Sequence, residues 1–380
     1  MSLPPRDWQG FSMPAEYAPH RATLMIWPVR PGSWGKDPRP AQQAFVRVFE
    51  AITRSEDLYL LAAPDQAEQA RAATAGLPRV TVLEIESDDA WARDVGPTFV
   101  KNDAGELRGI SWTFNAWGGL VDGLYADWEK DDAVAAAFCR ALGVSCADAS
   151  PFVLEGGSIH SDGEGTLLVT ESCLLSAGRN PRMRREEIEK TLCAWLGAEK
   201  VLWLPRGIYQ DETNEHVDNV CAFVAPATVV LAWTDNQADP QYALSRQDLE
   251  YLQSVTDARG RPLHIHKLPI PDHPILCDDA DCAAYSFAPG EAVRTPGERL
   301  AASYVNFYFT NKAVLVPQFG GDNAASDARA CRILAELCPD RQVIGLPARE
   351  ILQGGGNIHC ITQQIPSQGV SDHSDLQKNG

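Results

Sequence analysis

The 380-residue sequence contains no run of about 18 apolar residues, so a membrane-spanning helix is not expected. Its opening segment, MSLPPRDWQGFSMPAEY, has no basic stretch followed by an apolar one, so the chain is expected to be cytoplasmic. Clustered lysine and arginine are missing too. Against 51 acidic residues stand 33 basic ones, for a net charge of −18, whereas a phosphate-binding surface needs grouped cations. Nucleic acid is therefore not an expected partner. The chain has no P-loop and no strand-linked GxGxxG, so no nucleotide cofactor is expected. It also lacks HExxH and CxxC, the paired spacings by which metal sites announce themselves. Ten cysteines without regular spacing fit reduced, mostly buried thiols better than a disulfide framework. Low-complexity segments are absent; only the tail PSQGVSDHSDLQKNG, from Pro366, has the composition of a disordered stretch.

What remains is the composition of a large globular core, with 44% hydrophobic and 22% charged residues. The acidic balance would favour the approach of a cationic small molecule, although acidity also serves solubility. Length alone suggests two or three domains unless a repeat closes the chain into one. A repeat is visible. Helical patterns in AQQAFVRVFEAIT, AEQARAATAG, WEKDDAVAAAFCRALG, PRMRREEIEKTLCAWLG, SRQDLEYLQSVTDA and ASDARACRILAELC alternate with strands. Three strands following such helices end on Leu-Pro: KVLWLPRG, HIHKLPIP and QVIGLPAR. Hairpins are expected in GSIHSDGEGTLLVT, VDNVCAFVAPATVVLAW and SYVNFYFTNKAVLVPQF. A second echo links VLEGGSIH at 153–160 with ILQGGGNIH at 351–359. Repeated units around an axis would bring corresponding loops to one centre.

Several residues could carry chemistry at such a centre. Cys360 follows GGGNIH; a thiol nucleophile needs an activating neighbour, and Gly354, Gly355 and Gly356 would leave a side-chain-free wall beside it. The bland alternative is one more buried thiol after a turn. In ETNEHVDN, strand alternation would put His216 and Asp218 on one face, as a proton carrier and an anion, if the segment is an extended lead-in to VCAFV. Otherwise it is a surface strand end. Asp94, in SDDAWARDVGPTF, is a solvated turn residue or a carboxylate clamp for a cation, with Trp91 placed to face that cation's plane. Glu155 precedes two glycines in the same context as Gln353 of the second copy. His160, His216, His359, Asp218, Cys360 and the CDDADC stretch at 277–282 include metal-ligand residue types, but in no recognised spacing. His264 and His266 lie in a strand pattern and are expected to be structural.

Taken in order, MPAEYAPHRATLMIWP, SDDAWARDVGPTFV, FNAWGG, FVLEGGSIHSDGEGT, DETNEHVDN, LAWTDN, ASYVNFYF and GGGNIHCITQQIP closely resemble agmatine deiminase, also called agmatine iminohydrolase, from about Met13 to Pro366. The resemblance implies a five-bladed α/β propeller of pseudo-symmetric ββαβ units, the fold shared by guanidine-modifying deiminases and amidinotransferases. It implies one catalytic domain over 1–380, with an ordered core of about 10–366. By the same resemblance Cys360 is the nucleophile, His216 the general acid and base, Asp94 and Asp218 the guanidinium-binding carboxylates, and Glu155 the residue that orients His216. Trp91, Gly355 and Gly356 complete the substrate-binding set. No cofactor or metal is implied; the substrate is agmatine, and the assembly a homodimer or larger homo-oligomer. Relatives often carry glycine where this chain has Glu215. Glu215 and Glu212 are therefore candidates for the substrate's distal amine. Arg93 and Arg179 are candidates to hold a carboxylate if arginine or an arginine peptide is the substrate instead. A non-catalytic amine sensor and a zinc hydrolase are the readings from other classes.

Overall fold

The structure, a computed structural model, describes residues 3–368. Its strands form five separate sheets, one of four strands and four of three. Each is built on one plan: an antiparallel pair, a helix, then a third strand parallel to the second. Four units follow in chain order. Thr98–Lys101 pairs with Leu107–Thr113, which crosses through the helix Glu129–Leu142 to the parallel strand Ser145–Val153. His160–Ser161, Thr166–Thr170 and Lys200–Leu204 repeat this around Arg185–Leu196. Cys221–Ala225, Thr228–Trp233 and His264–Pro269 do so around Pro240–Ser254, and Tyr308–Phe309, Ala313–Gln318 and Gln342–Pro347 around Ala324–Leu337.

The remaining unit joins the two ends of the described chain. Its antiparallel strand is Gln363–Pro366, its second strand His20–Ile26, its helix Arg39–Ile52 and its third strand Asp57–Ala62; Val80–Glu84 adds an outer strand. These are five ββαβ blades, the fold implied by the resemblance. The three Leu-Pro strands are the third strands of three blades, and the three expected hairpins are present. All six helical patterns are helices, with bounds shifted by a few residues.

Burial follows the architecture. Second strands such as Thr166–Thr170 and Thr228–Trp233 are buried nearly throughout, as parallel strands covered on both faces require. Third strands such as His264–Pro269 lie further out and are half exposed, which leaves His264 and His266 on the periphery. Helix ends are chemically marked: Gly143 and Gly197 take left-handed conformations after two helices, and Asp239 caps another, ahead of a proline in its first turn. Trp8 packs edge-on against Trp195 at 5.5 Å, tying the N-terminal segment to the second of these blades. No helix among the described residues is long and apolar enough to cross a membrane. All ten cysteines are free. Most of the expected disordered tail, residues 369–380, lies outside the described residues.

In each blade the residues just before the first strand are 91–97, 155–159, 216–220, 303–307 and 357–362. They are not extended. Ala92–Val95 is a single helical turn, Gly156–Ser158 and Val217–Asn219 are 3₁₀ turns, and Cys360 lies in a turn. The extended segment expected at His216–Asp218 is thus corrected: the strand begins only at Cys221. Likewise Asp94 is not a solvated turn residue but is 6% exposed.

Candidate active site

These five inner segments meet. Cys360, 7% exposed, is held by the segment at 303–307: Asn306 Nδ2 donates to its Sγ at 3.2 Å, while Asn306 Oδ1 accepts from the backbone of His359 at 2.9 Å and of Cys360 at 3.4 Å. Asp218 Oδ2 lies 3.7 Å from the sulfur. Burial and the charges of Asp218 and Asp94 push the Cys360 thiol well above its ordinary range. The resting group is therefore the thiol.

The glycines ahead of Cys360 prove to be spatial necessities. A Cβ on Gly356 would lie 2.6 Å from the Trp91 ring and 3.0 Å from Cys360 Sγ, well inside van der Waals contact. Gly355 has φ +116°, where side chains are strained, and faces Arg294 Nη2 at 3.0 Å from its Cβ position. Trp91 lies directly beside Gly356. Its indole donates to Asp89 Oδ2 at 3.0 Å and packs on Trp34 at 4.8 Å, so its plane is fixed. Trp91 and the glycines line a cavity together with Asp94, Trp117, His216 and Glu212.

His216 is 1% exposed, with Nε2 3.6 Å from Glu155 Oε2 and Nδ1 3.9 Å from Asp94 Oδ1. Burial alone would lower its pKa, but Asp94, Cys173 and Glu155 outweigh that and raise it well above the ordinary value. It rests as an imidazolium. Glu155 is fixed from behind by the buried Arg179, Nε to Oε1 at 2.7 Å; despite its burial, that guanidinium and His216 hold it below the usual carboxylate range. Asp94 Oδ1 accepts from Gly157 N–H at 2.9 Å and Oδ2 from the Trp117 indole at 2.9 Å. Burial pushes Asp94 up to about 6, with Asp218 and Glu155 adding to the shift and His216 opposing it. Gly157 allows this approach, because a Cβ there would meet His216 Nδ1 at 2.6 Å.

Other candidates fall elsewhere. Asp218 touches the nucleophile but does not line the open cavity, and its Oδ1 is buried without a hydrogen-bond partner. Glu215 does not face the mouth; it is clamped by Arg206, Ser172 Oγ at 2.9 Å and Gly207 N–H at 2.6 Å. Glu212 does line the cavity, paired with Arg294 at 2.6 Å. Arg179 is committed to Glu155, Asn214 and the Thr213 carbonyl. Arg93 is buried against Gln364 and Glu16. Neither arginine is free to receive a substrate carboxylate.

Two groups among the described residues have donor atoms close enough to surround a metal ion: Glu16, His160 and His359, and Glu155, Cys173 and His216. The first has the guanidinium of Arg93 3.3 Å from Glu16, the second that of Arg179 2.7 Å from Glu155. A cation already sits at each cluster. The CDDADC stretch is no such cluster; Asp278 instead caps the short helix Asp279–Ala284. Sequence reading did not identify Asn306, Trp117 or Arg294, and it did not link His359 to Asp218. Only the position of Asn306, just ahead of a first strand as in the other blades, offered a signal.

Five ββαβ blades around a buried thiol, an imidazolium and paired carboxylates define an α/β-propeller with a guanidine-modifying type of centre. Residues 12–366 match the model of the Porphyromonas-type peptidyl-arginine deiminase family, and the chain belongs to that family. An agmatine deiminase of Stutzerimonas stutzeri is 50% identical over 366 residues, 96% of this chain and 98% of that one. A Selenomonas ruminantium protein is 55% identical over 368 residues, 96% of this chain and 98% of its own. Among solved structures, the agmatine deiminase of Enterococcus faecalis superposes with TM-score 0.91 at 44% identity, covering 97% of this chain and 98% of that one.

Proposed function

We propose that this chain hydrolyses the guanidino group of agmatine, giving N-carbamoylputrescine and ammonia through a covalent intermediate on Cys360. The reading is carried by a buried thiol and an imidazolium at one carboxylate-lined cavity. Near-full-length relatives named for this activity support it. The five blades act as one catalytic unit.

A guanidinium offers planar N–H donors, and carboxylates hold such donors in fixed geometry. Asp94 receives one edge from the cavity; Asp218, whose Oδ1 lacks a donor, receives another once the group reaches the sulfur. Trp91 stacks on its plane, and Gly355 and Gly356 let it lie against backbone. The incoming cation offsets the carboxylate field that holds Cys360 protonated, so the thiol releases its proton to solvent as substrate binds, His216 being already protonated. The thiolate attacks the guanidino carbon, forming C–S and moving the C=N pair onto nitrogen. His216 donates its proton to the departing nitrogen, ammonia leaves, and an amidinium thioether remains. The now neutral imidazole takes a proton from water, whose oxygen attacks the same carbon. Collapse breaks C–S, returns the thiolate and releases the ureido product with one proton. Glu155, held by Arg179, keeps His216 oriented. Glu212, at the cavity wall, is proposed to meet the distal ammonium, exchanging part of its contact with Arg294.

The test is to supply the chelator-treated protein with agmatine, free arginine and an arginine peptide in parallel and to measure ammonia and ureido product. Turnover of agmatine alone is expected. Turnover of arginine or peptide would move the assignment to that substrate; binding without turnover would leave a sensor, and activity restored only by zinc a metal hydrolase. A cytoplasmic location, supported by ten free thiols, and a homodimer or larger assembly belong to the same proposal. Leu120 and Val121, 98% and 64% exposed, offer apolar surface for such an assembly, and sedimentation as a monomer would exclude it.

A further inference from the structure

The segment MPAEY has no role in the chemistry above, yet it places Glu16, 4% exposed, beside the centre. Glu16 Oε2 lies 2.5 Å from His359 Nε2, and His359 Nδ1 lies 2.8 Å from Asp218 Oδ2. A buried chain of contacts therefore runs from the sulfur of Cys360 through Asp218 and His359 to Glu16. Its far end is fixed: Glu16 Oε1 accepts from Phe309 N–H at 3.0 Å, and Arg93 Nη2 reaches Oε2 at 3.3 Å. His160 stacks on His359 at 6.2 Å, and both line a small crevice with Glu16 and Arg93.

The titratable and charged groups around this chain are Glu16, Asp218, Arg93, His160, His216, Asp94 and Cys360. Burial holds His160 down at about 4, so it is neutral. For His359, burial and Arg93 work against protonation, but Glu16 and Asp218 prevail and raise its pKa. Burial by itself would raise Asp218, and the hydrogen bond and charge of His359 chiefly lower it instead. An isolated carboxylate 1% exposed, near Asp94 and a sulfur about to become negative, would otherwise take up a proton.

We propose that His359, backed by Glu16, is a positioning residue that keeps Asp218 ionised and fixes its Oδ2, leaving Oδ1 for a guanidinium N–H. The pair acts on substrate only through Asp218, and the inference rests on the guanidine-binding role proposed above. Glu16, His160 and His359 could also be imagined around a divalent ion, but Arg93 already supplies the cation that Glu16 faces.

The test uses His359→Asn and Glu16→Gln in the full chain, with agmatine kinetics from pH 5 to 9. In parallel, the Asp218 carboxyl resonance is followed with ¹³C-labelled aspartate and assigned by its loss in Asp218→Asn. For His359→Asn the expected result is a 10- to 100-fold rise in KM, a smaller fall in kcat, and an acidic limb of kcat/KM steepened as the Asp218 ionisation joins that of Asp94 near pH 6. The Asp218 resonance should titrate at correspondingly higher pH, with Glu16→Gln moving both readouts the same way by less. Unchanged KM and acidic limb would overturn the proposal, as would lost activity with an unmoved Asp218 titration, or zinc binding that these variants abolish. If His359→Asn does not fold, Glu16→Gln decides on the same two readouts. The carboxyl titration needs no turnover, so failure of the wild type to hydrolyse agmatine would count against the functional reading separately.

Discussion

Replacing Cys360 with alanine is expected to lower agmatine turnover by roughly 10⁴-fold or more, because removal of a nucleophile eliminates the covalent route rather than weakening it. The fold should survive. Cys360 is a small buried side chain whose sulfur meets mainly polar groups, Asn306 and Asp218, and its loss leaves only a minor cavity. Agmatine should still bind, since Asp94, Trp91 and Glu212 are untouched, and binding should tighten if the cation no longer has to displace a thiol proton. Rapid quench with labelled agmatine would give a protein-bound adduct with the wild type and none with the variant. Turnover by the alanine variant within tenfold of wild type would exclude the Cys360 mechanism altogether.

Much of this centre could be read from the chain, and what could not has physical causes. The Leu-Pro joints were visible because three third strands share one local ending; the blade of Asp57–Ala62 ends on Ala-Pro instead, and that of Ser145–Val153 has Ser150-Pro151 within it. The closing pair of Gln363–Pro366 with His20–Ile26 joins residues more than 300 apart, which no local periodicity reports. At His216 and Asp218 the residue types were legible but the backbone was not. Alternation assumes a strand, whereas a 3₁₀ turn brings both side chains near Gly157. Glu215 looked like a spare carboxylate at the mouth. It carries φ +69° and turns toward Arg206, a partner nine residues earlier whose approach depends on the tertiary fold. Asn306 and Glu16 escaped notice as site residues because each acts through neighbours contributed by other blades.

The acidic limb of agmatine turnover is expected near pH 6 and should belong to Asp94. Clamping a cation requires its charged form; burial, Asp218 and Glu155 raise it to about 6, so kcat/KM should fall about tenfold per pH unit below that value. Asp94→Asn should cost about 10²- to 10³-fold in kcat/KM, and the residual activity should lack this limb. The same shift predicts a stability signature of defined sign. Asp94 binds its proton more tightly in the folded protein, at about 6, than at its ordinary 3.8, so raising the pH through that window removes stability. At about 1.4 kcal/mol per pH unit, this buried carboxylate costs about 3 kcal/mol at pH 7 and about 1 kcal/mol at pH 4.5. Asparagine carries no such cost. Whatever the amide loses in hydrogen bonds to Gly157 and Trp117, the stability of Asp94→Asn relative to wild type should improve by about 2 kcal/mol between pH 4.5 and 7. Urea unfolding at the two pH values measures that difference, and a difference independent of pH would show that Asp94 is not the strained charge. Its charge would then be held in the folded protein without cost, and the acidic limb would have to arise from another group.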